Sequence, residues 1–452
     1  MAEALLIDPY QPYAELYISR LYREYGIQTI ALHRDWRSRL VLEPRSPILR
    51  SKAVSAHYMI PAEGVESLIP VLRSRHDVTA VLPHDEGAVW PLAQLAEALG
   101  LSWAQPEAMA VFASKAALKE RVRRSDPGIR LNRVAAVSDA AEVREWLTES
   151  GVDRFVLKPD DGSGNRGVAF FDADVPTAEL DRYFETVPGA ILAEEFVGGE
   201  EYWVNGQVDA AGEPVVTMIG RYDRREINGK ENVEFGTHTL PSGAPEFAAL
   251  RDYAVRVMRA IGLRRSPFHL EAKVDQAGPC LIEVAARLCG DLAVLTDQWQ
   301  HGVGSEFIDA AVHDYVTDQP RPQLRLDFAR ADANPVAQVN GASDVHMVVG
   351  RVDGAAAVEA APGFLMWIKK PKVGDVVLPT LDLVVKPWGL YVTAHSLAEL
   401  DTRAESVRST VQLTPRDEVD RRARLAVNGD RLRRYWSARP RLYMLRALRR
   451  SG

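Results

Sequence analysis

The chain is poor in cysteine and lacks both long hydrophobic runs and a basic net charge. Its two cysteines, Cys280 and Cys289, form neither a CxxC motif nor a disulfide framework. No apolar stretch approaches the roughly 18 residues of a membrane span, and an acid at Glu3 argues against a signal peptide. The net charge of −7 argues against a general nucleic-acid binder. We therefore expect a cytoplasmic protein with no membrane and no nucleic-acid partner.

The far C-terminus departs from this acidic balance. Residues 431–452 contain eight arginines and no acid. Such a tail is either solvated or docked on the protein, or it contacts an anionic partner. The sequence leaves these alternatives open.

Length and composition predict a globular protein of several domains. The 452 residues exceed one ordinary domain and favour about three, and 46% hydrophobic with 26% charged residues is typical of soluble proteins. We place an N-terminal α/β domain at 1–106, a central domain at 107–330 with a small lobe at about 117–209, a β-rich domain at 335–425 and a basic tail at 426–452.

The first hundred residues alternate between short apolar runs and helical patterns. We predict strands at 4–7, 28–32 and 78–82, and helices at 15–25 and 88–99. This alternation favours a parallel sheet, whose ligands gather at the carboxyl ends of the strands. His84, Asp85 and Glu86 follow a predicted strand directly, so they either bind a ligand or only cap the next helix.

Further along the chain the pattern becomes mixed, and the fold class is therefore α/β with α+β lobes. We predict one helix over 107–123, a strand-rich stretch at 154–216 with a helix at 177–185, and a mobile loop in the highly charged 221–234. A helix at 246–261, an antiparallel hairpin of 267–274 with 279–284, and a helix at 304–316 follow. After 335 we expect mainly strands until a helix at 397–408.

A glycine-rich loop follows a lysine in the strand-rich stretch. Gly162, Gly164 and Gly167 give residues 160–167 the freedom to turn backbone amides, with Ser163 among them, toward an anion. Lys158 precedes the loop, where its ammonium can meet the same anion. The order matches neither a P-loop nor a dinucleotide fingerprint. Alone, such a segment is more often a simple hairpin.

An acidic hinge comes next, in which Glu194 and Glu195 interrupt an apolar run and Phe196 and Val197 continue it. An adenine ring needs an apolar slot with a few polar edges, which this backbone could supply. Glu201 could bind ribose hydroxyls. The alternative is a solvated glutamate pair at a strand end.

Two later carboxylates carry the most weight. Glu271 and Glu283 lie on the two strands of the predicted hairpin. Carboxylates brought opposite each other repel unless a cation lies between them, and oxygen ligands of this kind suit Mg²⁺ together with phosphate. Arg287 follows, and its guanidinium can meet phosphate in a fork. The alternative is that both glutamates pair with arginines on a solvent-exposed face.

Taken in order, these motifs resemble the ATP-grasp superfamily. Within it, the chain is most similar to carboxylate–amine ligases that join amino acids, the L-amino acid ligases of the bacilysin and dapdiamide type. The resemblance covers roughly residues 1–413. It implies an ATP-grasp fold with an N-terminal parallel-sheet α/β domain and a β-rich C-terminal domain, ATP with Mg²⁺ as cofactors, small carboxylate and amine substrates, and allows a homodimer.

The resemblance also implies a role for each residue. Lys115 and Lys158 would hold the α- and β-phosphates, together with the loop that contains Ser163, Gly164 and Gly167. The adenosine moiety would be bound by Glu194, Glu195, Phe196, Val197 and Glu201. Mg²⁺ would be held by Glu271 and Glu283, the reacting phosphoryl group by Arg287, and the substrate by Glu86, His238 and Arg287.

One residue departs from the superfamily pattern. Many ATP-grasp enzymes have an asparagine two residues after the second metal carboxylate, where this chain has Ala285. The number of metal ions, one or two, therefore stays open.

The implied reaction forms an acyl phosphate and ADP, and an amine then displaces phosphate. Activation of bicarbonate or formate by a carboxylase-like or purine-pathway enzyme, and a nucleotide-binding protein without turnover, are the alternatives.

Overall fold

The computed structural model describes residues 1–10, 12–36, 39–40, 46–101, 105–160, 167–289, 304–317, 319, 324, 326–381 and 385–416. The basic tail lies outside these ranges. The chain divides into two compact units. The first consists of Met1–Tyr222 and His238–Pro335, and the second of Asp223–Thr237 and Val336–Gly452. Among the described helices, none has the length and apolar character needed to cross a bilayer.

The first unit begins with a parallel sheet in the order β3-β2-β1-β4. Its strands are β1 (Ala2–Ile7), β2 (Gln28–His33), β3 (Val54–Met59) and β4 (Asp77–Val81). The predicted α/β character and three of the strands are confirmed. The edge strand β3 escaped prediction, although its sequence VSAHYM alternates polar and apolar residues as a half-buried strand does.

Three helices accompany this sheet: α1 (Pro12–Glu24), α2 (Ile69–Arg75) and α3 (Glu86–Leu99). Helix α3 ends at Gly100, whose left-handed conformation (φ 71°) closes the last turn. Buried Leu92 and Leu95 on α3 join Leu5 and Leu6 of β1 in one core. The sheet therefore presents the loop before α3 at its carboxyl edge.

The single helix predicted over 107–123 is wrong. The chain forms α4 (Pro106–Ala110), a 3-10 turn at Val111–Ala113 and then α5 (Lys115–Ser125). The break occurs at Ser114, whose side chain caps α5 by accepting the N–H of Ala117. Lys115 thus stands at the first position of a new helix.

A small antiparallel sheet follows, in the order β5-β8-β6-β7. It contains β5 (Val134–Val137), β6 (Arg154–Pro159), β7 (Ala169–Asp172) and β8 (Ile191–Glu195), with helices α6 (Ala140–Ser150) and α7 (Thr177–Thr186). Phe155, Leu157 and Leu180 form its separate core. The strand-rich stretch and its helix are confirmed.

The rest of the first unit is an antiparallel sheet with the order β13-β12-β9-β10. Its strands are β9 (Glu200–Val208), β10 (Pro214–Ile227), β12 (Ser266–Asp275) and β13 (Gly278–Ala285), and β11 (Lys230–Thr239) follows β10 along the chain. The helices are α8 (Pro245–Ile261), α9 (Gly304–Val316) and α10 (Phe328–Asp332). The predicted hairpin and the helices at 246–261 and 304–316 are confirmed.

The mobile loop predicted at 221–234 is wrong, since β10 and β11 run through it. Asn228 and Gly229 both have positive φ (55° and 66°) and form the tight turn that matches the strand twist. The charges of this segment have partners within it and elsewhere in the second unit: Arg225 lies 2.8 Å from Asp223, and Asp223 lies 2.6 Å from Arg408.

The second unit is mainly β-structure, as predicted. Its further strands are β14 (Val336–Asn340), β15 (Met347–Asp353), β16 (Phe364–Lys369), β17 (Val376–Val377), β18 (Gly389–Thr393) and β19 (Gln412–Pro415). Helix α12 (Leu397–Thr410) is confirmed, and a short α11 (Ala355–Ala360) was not expected. The domain boundaries stay predictions.

Candidate functional site

Glu271 and Glu283 are direct partners across the β12–β13 hairpin. The same hairpin pairs His269 with Ala285. Because strand neighbours in register share a face, one face of the sheet carries both glutamates in one row and His269 with Ala285 in the next. The alternation of the two strands thus brings the paired carboxylates together as the sequence predicted.

The electrostatic environment of Glu283 disfavours an isolated negative charge. Burial and the neighbouring charges of Glu86 and Glu271 hold the pKa of Glu283 well above its usual range, against the opposing pull of Lys115. The Lys115 ammonium lies 3.4 Å from Glu283 Oε1. Lys115 Nζ also donates to the carbonyl of Asp160 at 3.3 Å. A cation between the two glutamates would relieve their repulsion.

The carboxylate pair fits Mg²⁺ only in company with other oxygens. No group of three or more His, Cys, Asp or Glu side chains is placed to hold a metal by itself, as far as the described ranges extend. Mg²⁺ typically takes one or two carboxylates, water and phosphate oxygens. The donor set therefore matches a magnesium ion shared with a phosphate ligand.

Glu271 is held by a tyrosine from another strand. The Tyr222 hydroxyl donates to Glu271 Oε1 at 2.7 Å, and His269 Nε2 lies 3.4 Å from the same oxygen. His269 Nδ1 lies 2.7 Å from Asn205 Oδ1 on β9. The carboxylate thus has a fixed orientation within the sheet.

Arg287 connects the end of the hairpin with the first sheet. Its Nη2 lies 3.0 Å from Glu86 Oε2, at the first position of α3, and its Nη1 donates to the carbonyl of Leu288 at 2.9 Å. Glu86 and Arg287, both predicted to face substrate, therefore contact each other.

A buried ionic cluster lies around Glu194. Glu194 Oε2 accepts from Lys119 Nζ at 2.8 Å and from Asn132 Nδ2 at 3.1 Å, and lies 3.1 Å from Lys158 Nζ. Lys119 and Glu194 are 1% and 3% exposed. Lys119 also donates to Asn132 Oδ1 at 2.7 Å. Two ammonium groups thus share one carboxylate oxygen.

The three charges shift each other's pKa values. Burial lowers the pKa of Lys119 to about 8, against the pull of Glu194. Burial alone would raise the pKa of Glu194, but Lys119 and Lys158 outweigh it and hold it at about 2. The pKa of Lys158 is raised, because Glu194 and Glu283 outweigh the effect of burial. All three groups are charged at neutral pH.

The segment after Glu194 leads away from this cluster. The Glu195 carbonyl accepts from Asn132 at 3.0 Å, and the Phe196 N–H donates to the carbonyl of Arg154 at 2.9 Å. The Phe196 ring packs between cations, 4.2 Å from Arg154 Cζ and 4.8 Å from Lys273 Nζ. Val197 and Glu201 are buried.

Most of the glycine loop lies outside the described residues, including Ser163 and Gly164. At its near end the Asp160 carboxylate caps α5 by accepting the N–H of Ala116 at 3.1 Å. At its far end Gly167 has a positive φ of 73°, and its carbonyl accepts from Tyr183 at 2.6 Å. Lys115 thus lies beside the start of the loop.

The carboxyl edge of the first sheet forms an ion network next to Glu86. Arg34, which follows β2, lies 2.9 Å from Asp85 and also contacts Asp8 after β1. Asp85 makes no side-chain capping bond to α3, because its carboxylate faces Arg34. His84 is buried and bonds to the carbonyl of Asp8 at 3.0 Å. The side chain of Asp85 therefore has a role other than capping the helix, because its carboxylate pairs with Arg34.

The remaining predicted substrate residue, His238, lies on β11. It is buried, and its Nε2 accepts from Arg221 Nε at 3.0 Å.

Lys119, Asn132 and Tyr222 are among the residues of the site that escaped sequence reasoning. Lys119 lies one helical turn after Lys115 on the same face of α5, a spacing that could have identified it. Tyr222 lay in the segment interpreted as a loop. Asn132 precedes β5 and carries no local signal.

Comparison with known proteins identifies a domain that this chain resembles. Residues 153–296 match the model of the ATP-grasp domain. Dapdiamide A synthase from Enterobacter agglomerans is 28% identical over 272 residues, which cover 58% of this chain and 63% of the relative. The chain thus matches less than two thirds of that protein's length.

Two solved structures share the overall fold. An L-amino acid ligase from Bacillus licheniformis superposes with a TM-score of 0.70 at 17% identity, covering 92% of this chain and 98% of that one. A phosphoribosylglycinamide synthetase from Anaerococcus prevotii gives 0.64 at 12% identity, covering 92% and 100%. At such identities the likeness concerns the fold alone.

Proposed function

We propose that this chain, an ATP-grasp protein through its domain at 153–296, is an ATP-dependent ligase that joins a small carboxylate to an amine. The observation that carries the proposal is the opposed pair Glu271 and Glu283, with Lys115 at 3.4 Å and Arg287 following on the same chain segment. The similarity to dapdiamide A synthase supports this proposal, and the resemblance of the sequence motifs to L-amino acid ligases favours an amino acid as the carboxylate.

In this proposal the lysines and the hinge hold the nucleotide. Lys115 and Lys158 bind its α- and β-phosphates, and the loop with Ser163, Gly164 and Gly167 covers them. The adenosine is bound by Glu194, Glu195, Phe196, Val197 and Glu201. Because the Phe196 N–H already donates to Arg154, Phe196 would contribute its carbonyl.

Glu271 and Glu283 hold Mg²⁺ in the proposal. The ion, when bound, neutralises charge on the phosphate oxygens. One or two ions would be bound, and a second ion would lack the side-chain ligand that an asparagine in place of Ala285 supplies. The cation would then compensate the negative charge of Glu283, which the neighbouring charges of Glu86 and Glu271 disfavour.

Two bond exchanges complete the reaction. A substrate carboxylate oxygen bonds to the γ-phosphorus while the bond to the β-phosphate oxygen breaks, which gives an acyl phosphate and ADP. The amine nitrogen then bonds to the acyl carbon, phosphate leaves, and the nitrogen loses a proton. Arg287 stabilises the transferring charge, and Glu86, Arg287 and His238 position the substrate.

The domain boundaries, a homodimer and a cytoplasmic location are proposed with the activity. Sedimentation velocity of the purified chain measures the oligomeric state. A mass of one protomer would contradict the homodimer without affecting the proposed chemistry.

A phosphate-release screen over pairs of amino acids, with hydroxylamine to trap an acyl phosphate, tests the activity. We expect ADP and hydroxamate only when the correct carboxylate is present, and Glu283→Gln should form neither. Release stimulated by bicarbonate or formate alone would favour the carboxylase-like alternative. Tight ATP binding without ADP under every mixture would indicate a nucleotide-binding protein.

A further inference from the structure

The proposed metal carboxylate Glu271 has one oxygen already occupied by protein donors. Tyr222 donates to Oε1 at 2.7 Å, a short and well-formed bond, while His269 Nε2 is 3.4 Å from the same atom. A hydroxyl that bonds one carboxylate oxygen fixes the rotation of the whole carboxylate group. The contacts of Glu271 therefore determine the orientation of its carboxylate group as well as its electrostatic environment.

Tyr222 reaches Glu271 across an intervening strand. Glu271 pairs with Trp203 of β9, and Trp203 pairs with Gly220 of β10. Tyr222 lies two residues beyond Gly220 and so shares its face of the sheet. Because two strand spacings amount to about 10 Å, only a long side chain on β10 can meet a glutamate on β12.

The absence of a side chain at Gly220 makes room on β10 for the ring of Trp203, which lies on the intervening strand. The Trp203 ring covers Gly220, where an added Cβ would lie 2.1 Å from Trp203 Cζ2. In the adjacent row Asn205 Oδ1 lies 2.7 Å from His269 Nδ1 and orients that ring beside Glu271. Both Tyr222 and His269 therefore approach Glu271 from fixed positions.

We propose that Tyr222 is a positioning residue that orients Glu271 for the divalent cation. The inference rests on the proposed function, because it concerns the same metal site. Ligating carboxylates commonly depend on an outer hydrogen bond, whose loss weakens metal binding about 10- to 100-fold. Tyr222 makes such a bond and contributes no charge of its own to the site.

Manganese binding to the full-length chain tests this role, with Mn²⁺ as a spectroscopic substitute for Mg²⁺. Electron paramagnetic resonance measures free Mn²⁺ in the presence of saturating ADP, for the wild type and for Tyr222→Phe. We expect the Mn²⁺ dissociation constant to rise about 10-fold, while ADP affinity in EDTA stays unchanged. In turnover assays, kcat should fall at low Mg²⁺ and recover at high Mg²⁺, with an unchanged KM for the carboxylate.

The matched control is Tyr391→Phe, which removes a buried tyrosine hydroxyl bonded to Gln338 at 3.2 Å in the second unit. Binding is measured at 10 °C, where a destabilised variant remains folded, with circular dichroism as a check. Mn²⁺ affinity of Tyr222→Phe within twofold of the wild type, or an equal loss in Tyr391→Phe, would overturn the inference. A wild-type chain that binds no Mn²⁺ beside ADP would instead refute the proposed metal site itself.

Discussion

The Arg287 guanidinium lies 3.0 Å from the Glu86 carboxylate, so two of the residues proposed to face the substrate neutralise each other. Glu86 begins helix α3 of the first sheet, whereas Arg287 follows the β12–β13 hairpin. Because the Arg287 guanidinium is paired with Glu86, it is less available to a phosphoryl group. A substrate ammonium that paired with Glu86 would release Arg287.

From this contact we expect Glu86→Gln to uncouple ATP hydrolysis from substrate. Substrate-independent ADP formation should rise severalfold, and the KM of the amino acid substrate should increase about 10-fold through the lost charged hydrogen bond. Coupled-enzyme assays with and without substrate measure both quantities. Glu97→Gln, an exposed glutamate on the same helix, serves as control. A basal rate at or below the wild-type value would contradict this exchange.

Removal of charge from the carboxylate pair should abolish turnover. Glu283→Gln keeps the shape of the side chain but cannot compensate a cation, and we expect amino acid-dependent ADP formation to fall by about 100-fold or more. Arg287→Ala should have a similar effect. Circular dichroism spectra like that of the wild type would show that the fold persists. Normal turnover in either variant would refute the assignment of these roles.

Acid stability should depend on Glu194. Its pKa is about 2 in the folded chain and near 4.5 when unfolded, so the folded state gains stability that is present above pH 4.5 and lost as the pH falls toward 2. The full difference is about 3 kcal/mol. We expect Glu194→Gln to be destabilised by about this amount at pH 7, because Lys119 and Lys158 lose their shared partner.

Urea denaturation midpoints at pH 7, 4.5 and 3 measure this dependence. The gap between wild type and Glu194→Gln should narrow as the pH decreases through this range. Glu195→Gln is the matched control, since the neighbouring carboxylate is only partly buried. A gap that stays constant with pH would show that Glu194 does not titrate as its contacts require.

The turn after the hinge should tolerate no side chain. Gly199 has a φ of 81°, and a Cβ there would lie 2.0 Å from the carbonyl oxygen of Val274. We expect Gly199→Ala to lower the free energy of unfolding by about 2 kcal/mol or more and to weaken ATP binding. Gly198→Ala, where nothing lies within 4 Å, is the control. Equal stability of the two variants would contradict the close approach.

Local patterns predicted the hairpin well and the long charged strands badly. Glu271 and Glu283 could be placed opposite each other because alternation and a short turn determine the pairing of adjacent strands. Residues 221–234 read as a loop because their charges are satisfied by partners distant in sequence, such as Arg408 for Asp223. Tyr222 lies in this segment and was therefore not predicted as a residue of the site.

The buried cluster shows a second limit. Lys119 lies in a helix rich in charge, KAALKERVRRS, where a lysine is normally exposed. Its buried ammonium bonds to Asn132, just before β5, and to Glu194 on β8 of the small sheet. Only the assembled fold brings these three side chains together, so helix periodicity could indicate the face of Lys119 but not its partners.

Because a single oxygen of Glu194 serves both Lys119 and Lys158, this cluster of three side chains carries two positive charges and one negative charge. Each ammonium raises the cost of keeping the other protonated. A negatively charged ligand beside Lys158 would therefore offset the repulsion between the two ammonium groups, and its binding would stabilise the folded lobe.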